Sequence, residues 1–171
     1  MNKNFYVFLD IDGVMYDLSY IKDRIKSGDI KNGRIISKYK PESVCALNML
    51  IENLSKYYNV HLVITSTLRF KFYRMLNILE ENGINIPQFI GRTSLTLNRH
   101  NRGGNIARYL QSRGYDRAVD DFVIIDDEKF NYHKYFDKKN IIKTSIINNA
   151  LSINAVKRYC NTLFESQQKN L

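Results

Sequence analysis

Two aspartates one residue apart, Asp10 and Asp12, follow the apolar run Phe5 to Leu9, and a glycine follows them in the stretch FLDIDGV. A second acidic pair, Asp126 and Asp127, ends the apolar stretch DFVIID in the same manner. Side chains i and i+2 of a strand point the same way, so Asp10 and Asp12 can address one site as the chain leaves a sheet. Carboxylates that converge repel one another unless a cation lies among them, and an all-oxygen ligand set is what Mg²⁺ prefers. A further strand-like run, VHLVIT, leads into Thr65 and Ser66, and Arg102 opens a helix-like segment. Hydroxyls, backbone N–H groups at a helix start and a fixed cation are groups that hold phosphate oxygens. The combination predicts a metal site beside a phosphate site.

Such residues need a scaffold that brings several strand ends to one edge. Apolar runs of strand length alternate with segments of helical period, which predicts an α/β fold with a Rossmann-like, mainly parallel sheet and helices on both faces. Ligands of such sheets bind at the carboxyl ends of the strands, where both acidic pairs fall. The predicted strands are FYVFLD (Phe5 to Asp10), VHLVIT (Val60 to Thr65), DFVIID (Asp121 to Asp126) and a short edge strand in NIIKTS. A crossover helix follows Pro41, with Val44, Leu47, Leu50, Ile51 and Leu54 at helical spacing. RFKFYRMLNILEENG predicts a second helix stopping at Gly83, RGGNIARYLQSRG a third stopping at Gly114, and SINAVKRYCNTLF a closing one. Met15 to Lys40 fits no regular element, and its SGD and KNG turn signals predict a β-hairpin flap.

A chain of 171 residues with 44% hydrophobic content suits one domain over residues 1–171, with the flap inserted at about 15–40. The two cysteines, Cys45 and Cys160, show no framework spacing, so both are expected as packing residues in a reduced, cytoplasmic setting. No apolar stretch approaches the roughly 18 residues of a membrane span. The net charge of +9 favours polyanionic partners. Lys22, Arg24, Lys26, Lys31, Arg34, Lys38 and Lys40 would make the flap a cationic wall beside the site. The aromatics of FNYHKYF (Phe130 to Phe136), at helical spacing, read as core. His61 and His100 lack metal-ligand spacing and take no role.

The order of motifs, a strand with DIDGV, a strand with TS, a basic residue opening a helix and a strand with DD, resembles the haloacid dehalogenase (HAD) superfamily of phosphotransferases. More narrowly, FLDIDGV, LVITSTLR, RGGNIARYL and VIIDDE resemble the HAD domain of bacterial Swiss-army-knife RNA repair proteins and are similar to polynucleotide 3′-phosphatase domains. The resemblance spans roughly residues 5 to 165. It implies that Asp10 is the nucleophile, forming an aspartyl-phosphate, and that Asp12 is the general acid and then the base. It also implies that Asp10, Asp126, Asp127 and the Asp12 backbone carbonyl bind or orient Mg²⁺. Thr65 or Ser66 and Arg102 would bind phosphate, with Arg99 as the alternative cation. Arg69 matches an arginine that polynucleotide 3′-phosphatases carry beyond their hydroxyl motif. Aspartate at position 12, where HAD ATPases have threonine, implies a phosphatase. Neither insertion point has room for a large cap, so an open site is expected. The expected substrate is a phosphorylated nucleic-acid end, a 3′-phosphate, or a nucleotide. The alternatives are a small-molecule or nucleotide monophosphatase and a catalytically silent nucleic-acid-binding module.

Overall fold

The first strand is apolar on both faces, which places it at the centre of the sheet. Phe5, Val7 and Leu9 point to one side and Tyr6 and Phe8 to the other, and none is more than 2% exposed. The computed structural model describes residues 3–29, 38–95, 101–128 and 130–168. In chain order these form β1 (Asn4–Leu9), α1 (Leu18–Lys26), α2 (Pro41–Ser55), β2 (Asn59–Ile64) and a 3₁₀ turn (Thr67–Lys71) that runs into α3 (Phe72–Glu81). They continue with β3 (Phe89–Arg92), α4 (Arg102–Ser112), β4 (Asp121–Asp126), β5 (Ile141–Lys143) and α5 (Ile153–Gln168). The sheet order is β3-β2-β1-β4-β5, and every pairing is parallel. This is the expected α/β, HAD-like sheet, and no large cap occurs among the described residues.

Two cores flank the sheet. On one side Phe5, Val7 and Leu9 pack with Leu47, Leu50 and Leu54 of α2, Met75 and Leu79 of α3, and Val156 and Cys160 of α5. On the other, Tyr6, Phe8, Val63 and Ile124 pack with Ile106 and Leu110 of α4 and with Tyr132. Each large apolar side chain so buried contributes about 1.5–3 kcal/mol, which holds the strand ends rigid. Among the described residues no helix is long and apolar enough to cross a membrane.

Five expectations need correction. The described part of the flap is a helix, α1, not a hairpin: Asp17 caps it by accepting from the Tyr20 N–H (2.9 Å). The SGD signal is the stop of that helix, with Gly28 at φ +77°. Strand β3 was not foreseen because FIGR is four residues long and only partly buried. The second helix opens as a 3₁₀ turn. Cys45 is exposed, whereas Cys160 is buried as expected. The cationic wall is also thinner than its residue count, since Arg24 pairs with Asp29 and Lys40 with Asp17, each at 3.0 Å. Lys22, Lys26 and Lys38 are exposed, and Lys31 and Arg34 lie outside the described residues.

Asp17 joins this insertion to the body. Its buried carboxylate accepts from the Tyr20 N–H, from Lys40 Nζ at 3.0 Å and from the Ala150 N–H at 3.4 Å. Burial alone would raise its pKa, but these donors outweigh it and hold the carboxyl below its usual range. A depressed carboxylate contributes stability that is fully present above its unfolded value, about 3.9, and is lost as pH falls through the folded one. Asp17→Asn is expected to lose roughly 1–3 kcal/mol at neutral pH. Its urea midpoint should also fall less than that of the wild type between pH 5 and 3, which denaturation followed by circular dichroism will read.

Candidate active site

The parallel register lines up the strand ends. The Asp10 N–H donates to the Ile125 carbonyl (3.0 Å), the Thr65 N–H to Leu9 (2.8 Å), the Thr93 N–H to Ile64 (3.1 Å) and the Thr144 N–H to Asp126 (3.1 Å). Thr93, Thr65, Asp10, Asp126 and Thr144 therefore follow one another across the carboxyl edge, where the sheet can bind a ligand. Asp10 and Asp126, far apart in sequence, become neighbours through the β1–β4 pairing.

Asp10, Asp126 and Asp127 each offer an oxygen within 4.8 Å of the others. Asp10 and Asp126 are buried and Asp127 is half-buried. Burial, opposed by Arg102 and reinforced by Asp126 and Asp12, pushes the Asp10 carboxyl up to about 7. Burial and then the Asp126 and Glu128 charges raise Asp127 as well. Arg102, itself 4% exposed, sits between the first two, with Nη1 2.7 Å from Asp126 Oδ2 and 3.1 Å from Asp10 Oδ1. The first contact is a hydrogen bond; the second is ionic without hydrogen-bond alignment, and Asp10 Oδ1 is buried without a hydrogen-bond partner.

Asp126 accepts two further hydrogen bonds, Oδ2 from the Tyr132 hydroxyl (2.6 Å) and Oδ1 from the Glu128 N–H (2.8 Å). Three carboxylates against one guanidinium leave an excess of negative charge that a divalent cation would neutralise. The donor set is all oxygen, and Asp10 Oδ1, ion-paired with Arg102 but accepting no hydrogen bond, keeps lone pairs for a metal, so these residues fit Mg²⁺.

The start of α4 is built to hold Arg102. Asn101 caps it by accepting from the Gly104 N–H (3.1 Å), and Asn131 Oδ1 accepts from the Gly103 N–H (3.0 Å). The two glycines admit these caps: a Cβ on Gly104 would lie 2.6 Å from the Asn101 side chain, and one on Gly103 2.8 Å from Tyr135. The Arg102 guanidinium stacks over the Phe130 ring at 4.2 Å.

Thr65 and Ser66, both fully buried, differ in what their hydroxyls do. Ser66 Oγ accepts from the Leu68 N–H (3.2 Å) and so caps the 3₁₀ turn, while Thr65 Oγ1 has no hydrogen-bond partner. Thr93 Oγ1, on the neighbouring strand end, is likewise without one. Arg69 is 6% exposed and donates from Nε to the Ser94 carbonyl (3.2 Å) and from Nη1 to the Ser66 carbonyl (3.0 Å). Burial and the Arg102 charge lower its pKa and the Asp10 charge raises it, which sets it beside the same cluster.

Asp12 is half-buried, and its carboxylate stands outside the three-residue cluster. Tyr16 donates its hydroxyl to Asp12 Oδ1, and burial together with that bond pushes the phenol above its usual range. Sequence reasoning missed Tyr16, Thr93, Phe130 and Tyr132 as site residues. Tyr132 is buried as the aromatic spacing suggested, but its hydroxyl serves Asp126, which no spacing signals. Arg99 and His100 lie outside the described residues.

Gly13 carries a local constraint. Its φ is +72°, and a Cβ there would lie 2.4 Å from Asp127 Cγ and Oδ2. Gly13→Ala is expected to cost about 1–2 kcal/mol in backbone strain and to displace Asp127. A thermal melt will read the first effect, and a weaker Mg²⁺-induced rise in Tm than that of the wild type will read the second.

Residues 6–149, which run from β1 past β5, match the family described as the HAD domain in Swiss Army Knife RNA repair proteins. No curated protein matches the chain. The match takes in both acidic pairs, the Thr65–Ser66 pair and Arg102, the residues that the sheet brings to one edge. The chain belongs to the family of HAD domains found in Swiss Army Knife RNA repair proteins.

Proposed function

We propose that this domain is a Mg²⁺-dependent phosphomonoester hydrolase acting through Asp10 on the 3′-phosphate of a nucleic-acid end or nucleotide. The observation that carries the reading is a pair of buried oxygens without hydrogen-bond partners, Asp10 Oδ1 and Thr65 Oγ1, on adjacent strand ends beside Arg102. Leaving such atoms unsatisfied costs roughly 1–3 kcal/mol each, and a bound phosphate and its counter-ion would satisfy both.

Asp10, Asp126 and Asp127 would hold the metal, with the Asp12 backbone carbonyl as the fourth protein contribution; the metal would supply charge neutralisation and polarise a phosphate oxygen. In the first step the Asp10 carboxylate forms a bond to phosphorus as the ester P–O bond breaks, and Asp12 gives the leaving oxygen its proton. In the second, Asp12 takes a proton from water as the water oxygen attacks phosphorus, releasing phosphate and regenerating Asp10. Tyr16 occupies Asp12 Oδ1, which leaves Oδ2 for proton exchange. Thr65 and Arg102 bind the phosphate oxygens, and Arg69 adds positive charge beside them. The family's connection with RNA repair, the net charge of +9 and the lack of a large cap among the described residues support a nucleic-acid substrate.

Phosphate release from a 3′-phosphorylated oligonucleotide should require Mg²⁺ and fall at least about 10³-fold in Asp10→Asn. A Mg²⁺-induced rise in Tm that shrinks in Asp127→Asn reads the metal site without turnover. Release unaffected by Asp10→Asn would remove the nucleophile assignment. Faster release from the matching 3′-mononucleotide would make the domain a nucleotidase.

A further inference from the structure

The run that follows the hydroxyl motif is unlike the rest of the surface. From Thr65 to Leu79 the chain carries Arg69, Lys71 and Arg74 and no acidic residue. Arg69 is buried at the site, but the next residues turn outward: Phe70 is 57% exposed and Tyr73 80% exposed. Large apolar rings left in water at a functional edge call for an occupant. Phe70 and Tyr73 are three residues apart, on either side of Lys71, whose backbone (φ −95°, ψ +44°) marks the joint between the 3₁₀ turn and α3. The Lys71 ammonium is 5.4 Å from the centre of the Phe70 ring, and Arg74 is exposed beside Tyr73.

The run is also braced from behind. Arg92 Nη1 donates to the Arg69 carbonyl (3.0 Å), and its guanidinium lies over the Phe72 ring at 5.3 Å. The Arg69 bond to the Ser94 carbonyl brings the end of β3, with Leu95 46% exposed, against the same segment. Rings held on a braced backbone lose little freedom when they bind.

We propose that Phe70 and Tyr73, with Lys71 and Arg74, form a stacking platform for the single-stranded nucleotides adjoining the phosphorylated end. This rests on the phosphatase reading above for its orientation. Charge and chemistry both select this occupant: rings stack on the π-face of any base, and the intervening cations pair with the backbone phosphates. The platform prefers a strand to a mononucleotide without reading sequence.

The test compares a single-stranded 3′-phosphorylated decanucleotide with the matching 3′-mononucleotide in wild type, Phe70→Ala/Tyr73→Ala and Phe70→Trp/Tyr73→Trp proteins. Stacking of the expected strength lowers kcat/KM of the alanine variant on the strand by roughly 5- to 150-fold per ring. Turnover of the mononucleotide and the Tm stay unchanged, and the tryptophan variant recovers the strand activity. Parallel loss on both substrates, or no loss on the strand, overturns the platform. A second arm, fluorescence anisotropy of a labelled strand with a 3′-hydroxyl, decides the same question without catalysis. Binding weakened by alanine and restored by tryptophan supports the platform even if no probe is hydrolysed, a result that would defeat the phosphatase reading alone. Strand binding that is absent, or equal in wild type and alanine variant, assigns the rings to a protein contact and overturns the proposal.

Discussion

Asp10 and Asp126 stand side by side at the ends of adjacent parallel strands, both withdrawn from water, and a buried like-charge pair is costly unless a cation lies between them. Arg102 meets part of that demand. Its single Nη1 faces both carboxylates, and the Phe130 ring backs its guanidinium. The demand reaches into the backbone around it. Arg102 can stand there because α4 begins there, and α4 begins there because Asn101 and Asn131 cap N–H groups that two glycines leave accessible. The Tyr132 hydroxyl and the Glu128 N–H also donate to Asp126, whereas Asp10 Oδ1 meets Arg102 as an ion pair and accepts no hydrogen bond.

Among the described residues the same edge carries no large cap. Where a cap could have been inserted after β1, the described residues supply one short helix, and a buried aspartate ties that helix to α2 and to the loop before α5. The bonds from Lys40 N–H to Met15 and from Leu151 N–H to Val14 close the base of this insertion against the sheet. The rigid sheet, with cores on both faces, lets the strand ends carry polar groups that would otherwise be pulled towards solvent.

Charge is distributed on two scales. The chain as a whole is strongly cationic, yet its centre is a concentration of carboxylates. On the proposed reading, an anionic ligand would approach through this favourable field, and a divalent cation would offset the local excess of carboxylates. Arg69 lies between the two scales, buried beside Asp10 and Arg102 but starting the acid-free run that leads out along α3.

Strand identity was legible in the sequence wherever a strand is buried on both faces, because continuous apolar runs such as FYVFLD and FVII admit few other placements; the short, half-exposed β3 carries no such signal. The acidic pairs were legible because carboxylates directly after buried strands are chemically expensive and therefore conspicuous. Turn residues misled where one signal serves two structures: SGD ends a helix here as readily as it would turn a hairpin. What tertiary structure alone decided is which oxygen is satisfied. The Ser66 hydroxyl is used in capping while that of Thr65 is bare, Tyr132 serves Asp126 from within an aromatic patch, and Tyr16 serves Asp12. Hydrogen-bond partnership depends on angles and separations between elements distant in the chain, and residue type and spacing along one segment do not contain that information.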